Sequence, residues 1–422
     1  MNILMATNTF SPHVGGVARS VEAFTSEFRR WGHCVWVVAP FFEGAPKKEL
    51  GVIRVPAIQH FNGSDFSVRL PIPSFLFPSL ERYHPDIVHA HHPFLLGDTA
   101  LRIAAVRDVP LIFTHHTMYE QYTHYVPGDS PTLKRFVIEL STGFANLCDA
   151  VIAPSDSIAA TLKERGVKTP IAVIPTGVHV ERFRQGEGER FRRLNKIPPE
   201  AFVVGHVGRL APEKNLDFLS KSVADFLSKY DQAHFIIAGT GPSKIDIQRF
   251  FESRNLSQRV HLFGVLQAKD LVDAYHAMDS FAFTSKTETQ GMVLTEALGA
   301  GIPVVAVDAP GVREVLRDGA NGRLLPKEDI RLFSDALGEI KGLSQEKRKN
   351  FQEEARRTAQ QFSIGETAKK TLGLYESLID KGRVHKKLEG SLWQSAMHVI
   401  EAEWEVWNNR AHAARIALSQ KG

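Results

Sequence analysis

Cysteine is nearly absent: 422 residues contain two, Cys34 and Cys148. Two thiols at no metal-ligand or redox spacing exclude a disulfide framework and a cysteine-based zinc site, and they suggest a reducing compartment. No Asp-x-Asp pair occurs anywhere in the chain, which removes one common carboxylate clamp for a divalent metal. No uninterrupted apolar run approaches the eighteen residues of a spanning helix, and no basic region precedes an apolar stretch at the start. Neither a membrane span nor a signal peptide is expected, and the expected location is cytoplasmic. Charge is not concentrated either. Through Thr176 fifteen Lys and Arg face fifteen Asp and Glu, so the formal charge of +4 arises in the second half. No basic run resembles a nucleic-acid or polybasic lipid footprint, and nucleic acid is not an expected partner.

Ordinary globular composition remains, 43% apolar and 23% charged, in a chain longer than one core usually organises. Short β-rich runs alternate with amphipathic helical ones at 2–6, 35–39, 87–90, 111–114, 150–153 and 171–174. A second series follows at 202–207, 235–238, 260–263, 281–284 and 304–307. This βαβ rhythm predicts an α/β fold of two doubly wound parallel sheets. The polar segment from Arg182 to Arg190, ending near Pro198 and Pro199, interrupts the rhythm. The expected organisation is a first domain over 1–180, a linker over 181–200 and a second domain over 201–361. A helix over 362–380 follows, with Ala368, Leu372, Tyr375 and Leu378 at helical spacing, and then a helical extension over 383–422.

Three clusters carry chemistry. In Thr287-Glu288-Thr289-Gln290-Gly291-Met292-Val293-Leu294-Thr295-Glu296, two carboxylates stand eight residues apart astride a glycine turn that opens a helix. The amides of Gly291, Met292 and Val293 then lie at a helix N-terminus, where unpaired N–H groups and the helix dipole favour an anion such as a diphosphate. Glu288 and Glu296, as ionised carboxylates, only accept hydrogen bonds and suit vicinal diols. Taken alone, such a pair is more often a cap plus a solvated helix face. In the second cluster, the run Phe202 to Val207 leads through Gly208-Arg209-Leu210-Ala211-Pro212-Glu213-Lys214-Asn215 into a helix. Arg209 and Lys214 leave a strand's carboxyl end together, where an open α/β sheet binds ligands. The bland alternative pairs Lys214 with Glu213 or Asp217. The third cluster is Gly15-Gly16 after the first strand and before a helix bearing Val17, Val21, Phe24 and Phe28, where backbone can approach a phosphate.

Together these clusters resemble a retaining glycosyltransferase of family 4, over nearly everything from Met1 to Asp380. The resemblance implies the GT-B fold, two Rossmann-like domains facing a cleft, with a crossover helix returning to the first domain. It maps the family's Glu-x7-Glu motif onto Glu288 and Glu296, its diphosphate-binding pair onto Arg209 and Lys214, and its glycine loop onto Gly15 and Gly16. A histidine preceding threonine after the strand 111–114 maps onto His116, close to the reacting sugar, and leaves His115 as a structural neighbour. The bland reading of His116 is a capping or core histidine. Charge stabilisation by Arg209 and Lys214 takes the place of a metal, so no catalytic metal and no cofactor are expected.

The wording from Thr114 to Pro127 and from Thr287 to Gly291 is similar to bacterial transferases that glucosylate diacylglycerol. That implies UDP-glucose as donor and a membrane lipid as acceptor, with peripheral contact at the inner face of the membrane. A soluble-sugar or lipopolysaccharide acceptor, a nucleotide-sugar epimerase and a silent binding protein remain alternatives. The proline-broken apolar segment Leu70 to Pro78, with Phe75, Leu76 and Phe77, is a candidate lipid entrance, or a packed loop. In the extension, Trp393, Met397, Ile400, Trp404, Trp407, Ala411, Ala414 and Leu418 form one helical stripe. It can meet a bilayer, pair between subunits or dock on the first domain. Glu401, Glu403 and Glu405 would repel an anionic membrane, which favours docking.

Overall fold

The structure, a computed structural model, describes residues 1–13, 15–46, 49–58, 68–69, 83–125 and 130–381, together with 406, 409, 410, 412 and 413. At 57, 58, 68, 69, 122, 124 and 125 it describes backbone alone. The segment 70–78, the tryptophan stripe and residues 126 and 127 of the wording from Thr114 to Pro127 lie outside the described residues.

The chain forms two compact units, Met1–Gly177 with Thr367–Gly422, and Val178–Glu366. In the first, β1 (Asn2–Ala6), β2 (Cys34–Pro40), β3 (Val52–Val55), β4 (Ile87–Ala90), β5 (Leu111–Thr114), β6 (Ala150–Ala153) and β7 (Ile171–Val173) form one parallel sheet. Its order is β3-β2-β1-β4-β5-β6-β7. In the second, β8 (Phe202–Val207), β9 (Ala233–Ala238), β10 (Val260–Phe263), β11 (Ser280–Phe283), β12 (Val304–Val307) and β13 (Gly322–Leu325) take the order β10-β9-β8-β11-β12-β13, again parallel. Each sheet therefore runs third, second, first, fourth from its edge, and its order reverses beside its first strand. Central strands such as Ile-Val-His-Ala of β4 are buried at every position, as a sheet covered by helices on both faces requires. Along β8 the side chains alternate. Val203 and Val207 join one core and Phe202 and Val204 the other. Of the strands not foreseen, β3 and β13 are short edge strands broken by Arg54 and Arg323, so they carry little periodic signal, and Ala57–Ile58 with Val68–Arg69 form a two-residue antiparallel pair.

The expected linker over 181–200 is not one. Val180, Phe183 and Phe191 are buried in the core of the second unit. The helix Gly188–Leu194 lies against the helix Ala268–His276: a Cβ on Gly188 would stand 2.0 Å from the carbonyl oxygen of His276. Charge and glycine made this stretch look like solvated chain. The glycines instead permit close approach, and Arg192 spends its charge on the carbonyl of Ala277 at 2.8 Å and on Asp279 at 2.8 Å.

The helix Ile364–Lys381 belongs to the first unit from Thr367 onward. Tyr375 is fully buried there, its hydroxyl 2.5 Å from His89 Nδ1. The few described residues of the extension also pack on the first unit. Val406 joins its core, Asn409 Nδ2 donates to the carbonyl of Leu140 at 3.0 Å, and Arg410 pairs with Asp98. Gly143 makes room for this, since a Cβ there would meet Asn409 Oδ1 at 1.7 Å.

Gly188→Ala is expected to destabilise the second unit by about 1–3 kcal/mol, the usual cost of forcing one extra methyl into packed backbone. Urea unfolding followed by fluorescence measures it. An unchanged midpoint would restore the view of this stretch as a linker.

Candidate functional site

In an open parallel sheet the loops leaving the carboxyl ends of strands diverge where the strand order reverses, and the gap between them receives ligands. In the second unit that point lies between β8 and β11. The loop after β8 carries Arg209 and Lys214; the loop after β11 carries Glu288. Side-chain hydrogen bonds stitch the loops together, among them Asn215 Nδ2 to the carbonyl of Thr284 at 3.4 Å. Thr284 Oγ1 donates to the carbonyls of Lys214 and Asn215 at 3.1 and 3.2 Å, and Ser285 Oγ and Thr287 Oγ1 donate to that of Glu213 at 3.3 and 3.4 Å. This seam sets Lys214 Nζ against Glu288 Oε1 as a mostly buried ion pair. Asp217 instead binds Lys221 at 2.6 Å.

Burial alone would push the Glu288 carboxyl up, but the Lys214 ammonium, by charge and hydrogen bond, outweighs it and holds the carboxyl below its ordinary value. His206, also buried, lies near both. Its Nδ1 faces the carbonyl of Ala282 at 3.1 Å, and burial lowers it to about 4, so it is neutral beneath the pair.

Gly291 stands at φ 74° and caps the helix Met292–Gly299, which places Met292 and Val293 in its first turn. That left-handed value favours glycine. Behind the Glu288 turn, Gly311 at φ 77° comes so close that a Cβ would lie 2.7 Å from the amide nitrogen of Gln290. Glu296, one turn into the helix, is 4% exposed, and Tyr275 donates its hydroxyl to Oε2 at 2.8 Å. A second glycine loop follows β9. Leu210 N donates to Thr240 O at 2.9 Å, and a Cβ on Gly239 would stand 1.8 Å from Gly208 O. It braces the loop that holds Arg209.

In the first unit the order reverses between β1 and β4. Gly15 caps the helix Gly16–Arg30 at φ −164°, extended backbone that any residue adopts, and a Cβ on Gly16 would meet nothing within 4 Å. The need for glycine here is therefore not conformational. Val21, Phe24 and Phe28 of that helix are buried, while Val17 is half-buried. Asn8 N donates to His92 Nδ1 at 3.1 Å, joining the loops after β1 and β4.

Around this point five histidines are buried together. His89 contacts Tyr375 and, through Nε2 at 2.6 Å, Thr114 Oγ1; His91 Nδ1 lies 2.9 Å from His116 Nε2; His115 packs edge-on to Phe113 and Tyr119. His116 also lines a small void with Phe24, His89, Thr114, Ile152, Ile174, Pro175, Thr176 and Thr371. Burial pushes His89, His92, His115 and His116 down to about 3 and His91 well below its ordinary value, aided for most of them by neighbouring imidazoles. All are neutral near pH 7.

The structure thus sets Lys214 against Glu288 on the loops after β8 and β11, with Arg209 on the first of them, places Glu296 on Tyr275 and His116 beside His91, and adds neighbours the sequence reading did not single out, His91, His92, His206, Tyr275 and Gly311. The His89-Ala90-His91-His92 run at the end of an apolar strand was a visible signal. Tyr275 and Gly311 gave none, because their roles exist only in three dimensions.

Two sequence families match consecutive parts of the chain, Glycosyltransferase Family 4 over residues 14–182 and Glycosyl transferases group 1 over 188–358. The chain is 29% identical over 330 residues to an alpha-monoglucosyldiacylglycerol synthase of Streptococcus pneumoniae (strain ATCC BAA-255 / R6), covering 77% of this chain and 75% of that protein. It is 28% identical over 390 residues to a GDP-mannose-dependent alpha-mannosyltransferase of Mycobacterium tuberculosis (strain CDC 1551 / Oshkosh), covering 90% and 97%. The structure resembles that of Anabaena Alr3699/HepE in complex with UDP-glucose, with TM-score 0.71 and 21% identity over 90% of this chain and 100% of the other. That degree of identity carries the fold alone, and the fold is GT-B.

Lys214→Met is expected to cost about 3 kcal/mol of stability, because Glu288 is left buried and unpaired, and Lys214→Met with Glu288→Gln to recover most of it. Chemical denaturation of both variants checks the coupling. Acid gives a second outcome. The buried imidazoles stay neutral in the fold, whereas unfolded histidines protonate near 6.5. Between about pH 6.5 and 3 the unfolded chain binds more protons, so stability is full above that window and falls through it, by up to about 1.4 kcal/mol per pH unit per histidine. A melting temperature that stays level from pH 7 to 5 contradicts the neutral cluster.

Proposed function

We propose that this chain, which belongs to glycosyltransferase family 4, moves glucose from UDP-glucose to the hydroxyl of a membrane lipid such as diacylglycerol, with retention of configuration. The observation that carries the reading is the Lys214–Glu288 pair beside a glycine-capped helix N-terminus at the strand-order reversal of the second unit. A lysine ammonium has three donors, so Lys214 can hold Glu288 and a diphosphate oxygen at once. Arg209 and the amides of Gly291, Met292 and Val293 add donors for the same charge, which grows as the sugar–phosphate bond breaks. Glu288 then accepts from the sugar's hydroxyls, and Glu296, oriented by Tyr275, from the ribose diol.

From the first unit, the backbone at Gly15 and Gly16 serves the diphosphate and His116 the sugar. No protein nucleophile is assigned. The lipid acceptor and the glucosyl donor draw support from the similarity to the diacylglycerol enzyme. The similarity to the mannosyltransferase makes GDP-mannose the competing donor. Among the described residues no helix is long and apolar enough to cross a membrane, so a lipid acceptor implies surface contact.

A donor-hydrolysis panel containing UDP-glucose and GDP-mannose, followed by transfer to diacylglycerol vesicles and to soluble sugars, tests the reading. UDP-glucose with the vesicles is the expected productive pair, and EDTA leaves the rate unchanged. Restoration by magnesium after loss in EDTA, or transfer to soluble sugars alone, overturns the corresponding part. Glu296→Ala is expected to weaken UDP binding by about 1.5–3 kcal/mol in calorimetry, the cost of a charged acceptor lost from a diol. Unchanged affinity in the folded variant removes Glu296 from the ribose.

A further inference from the structure

The backbone ladder between β8 and β11 is short. It pairs Val204 with Ser280 and Gly205 with Phe281 and goes no further. Each strand runs on beside its outer neighbour, β8 with β9 as far as Val207 and Ala238, and β11 with β12 as far as Phe283 and Ala306. The two strands that bear the loops of the site therefore part from each other at His206 and Ala282, one residue past their last pair.

A side chain bridges them there. His206 is buried, and its Nδ1 lies 3.1 Å from the carbonyl oxygen of Ala282. Its ring stacks beside that of Phe281, with centroids 6.2 Å apart and planes 15° from parallel. A carbonyl only accepts, so the hydrogen of this bond belongs to Nδ1. Burial keeps the ring neutral near pH 7, which leaves Nε2 a bare lone pair. That nitrogen is buried and has no hydrogen-bonding partner, and an under-used acceptor is a cheaper orphan than an unpaired N–H. A Cβ on Gly208 would stand 3.6 Å from Nε2, so the imidazole lies against the first residue of the loop that carries Arg209 and Lys214. At the other end of the bond, Ala282 stands two residues before Thr284, whose hydroxyl binds the carbonyls of Lys214 and Asn215.

We infer that His206 is a positioning residue, a strut across the gap between β8 and β11 that sets how Lys214 meets Glu288. The inference rests on the reading of that pair as part of the donor site. Thr284, Ser285 and Thr287 join the two loops further out, while the imidazole fixes the strand ends, where the backbone has stopped pairing. The attraction within an ion pair varies with separation, so a change of spacing at the strand ends reaches the pair directly. Both charges of the pair act on the ring, and its neutrality lets them act chiefly on each other.

The strut is tested by tautomer and by coupling. In the full chain carrying 15N-histidine, long-range proton–nitrogen correlation, with His206 assigned by its loss from the spectrum of His206→Asn, is expected to show Nδ1 protonated and Nε2 bare. His206→Phe keeps a ring beside Phe281 and has no donor; His206→Asn keeps an amide N–H at the position of Nδ1. Urea unfolding of Lys214→Met, Glu288→Gln and the double variant measures the coupling of the pair in each background. Expressed as a ratio of unfolding constants, the coupling is expected to fall about tenfold in His206→Phe and to persist in His206→Asn. With UDP-glucose and diacylglycerol vesicles, kcat follows the same order. It is about tenfold lower in His206→Phe, with a smaller change in donor KM because the charge the pair meets grows in the transition state, and largely restored in His206→Asn.

A wild-type His206 protonated at Nε2 overturns the inference, because Nδ1 would then have no hydrogen to give Ala282. So does a folded His206→Phe variant that keeps the wild-type coupling, and so does equal damage from the two variants. Should His206→Phe fail to fold, His206→Gln, whose amide reaches the place of Nε2 and not that of Nδ1, carries the same cycle with the same two outcomes. If no donor and acceptor pair supports transfer, the donor reading fails by itself, and the spectrum and the cycle still decide the role of His206.

Discussion

The ion pair between Lys214 and Glu288 is the interaction on which the second unit's site depends. It joins loops seventy-four residues apart in sequence, and it forms because β8 and β11 are neighbours in the sheet. Partial burial raises the stakes: an ammonium or a carboxylate left alone there would lose solvation without compensation. Held together, they keep a full positive and a full negative charge beside a helix N-terminus. The hydroxyls of Thr284, Ser285 and Thr287 serve that end by fixing the two backbones, and Gly311 permits the turn behind them.

The first unit solves a different problem. Its reversal point is lined by imidazoles rather than by charges, and burial keeps them uncharged near neutrality. A neutral imidazole can be donor or acceptor at either nitrogen, so its chemistry is undefined until neighbours choose a tautomer. Tyr375 and Thr114 bracket His89, Asn8 N engages His92 Nδ1, and His91 meets His116. The helix Ile364–Lys381 thus contributes to the chemistry of the first unit through one phenol, although it lies far along the chain.

Much of this was legible in the sequence. Eleven apolar runs gave eleven of the strands, because a buried parallel strand has to be apolar nearly throughout. The parallel α/β architecture followed from their alternation with helices. Gly291 announced a turn that opens a helix, and Arg209, Lys214, Glu288 and Glu296 announced themselves as charges at strand and helix ends. The segment 181–200 was misread because charge and glycine describe solvated chain and close-packed chain equally well. Phe183 and Phe191 were the contrary signal.

What the sequence determined by itself was periodicity and inventory: which runs become strands, where helices begin, and which side chains at those ends can carry charge or hydrogen. These are local properties, set by residue type and spacing. Tertiary structure decided the partners. Whether Lys214 meets Asp217 or Glu288 and whether Glu296 faces solvent or Tyr275 both depend on strand order. Strand order sums weak packing preferences over the whole unit, and no single segment contains it.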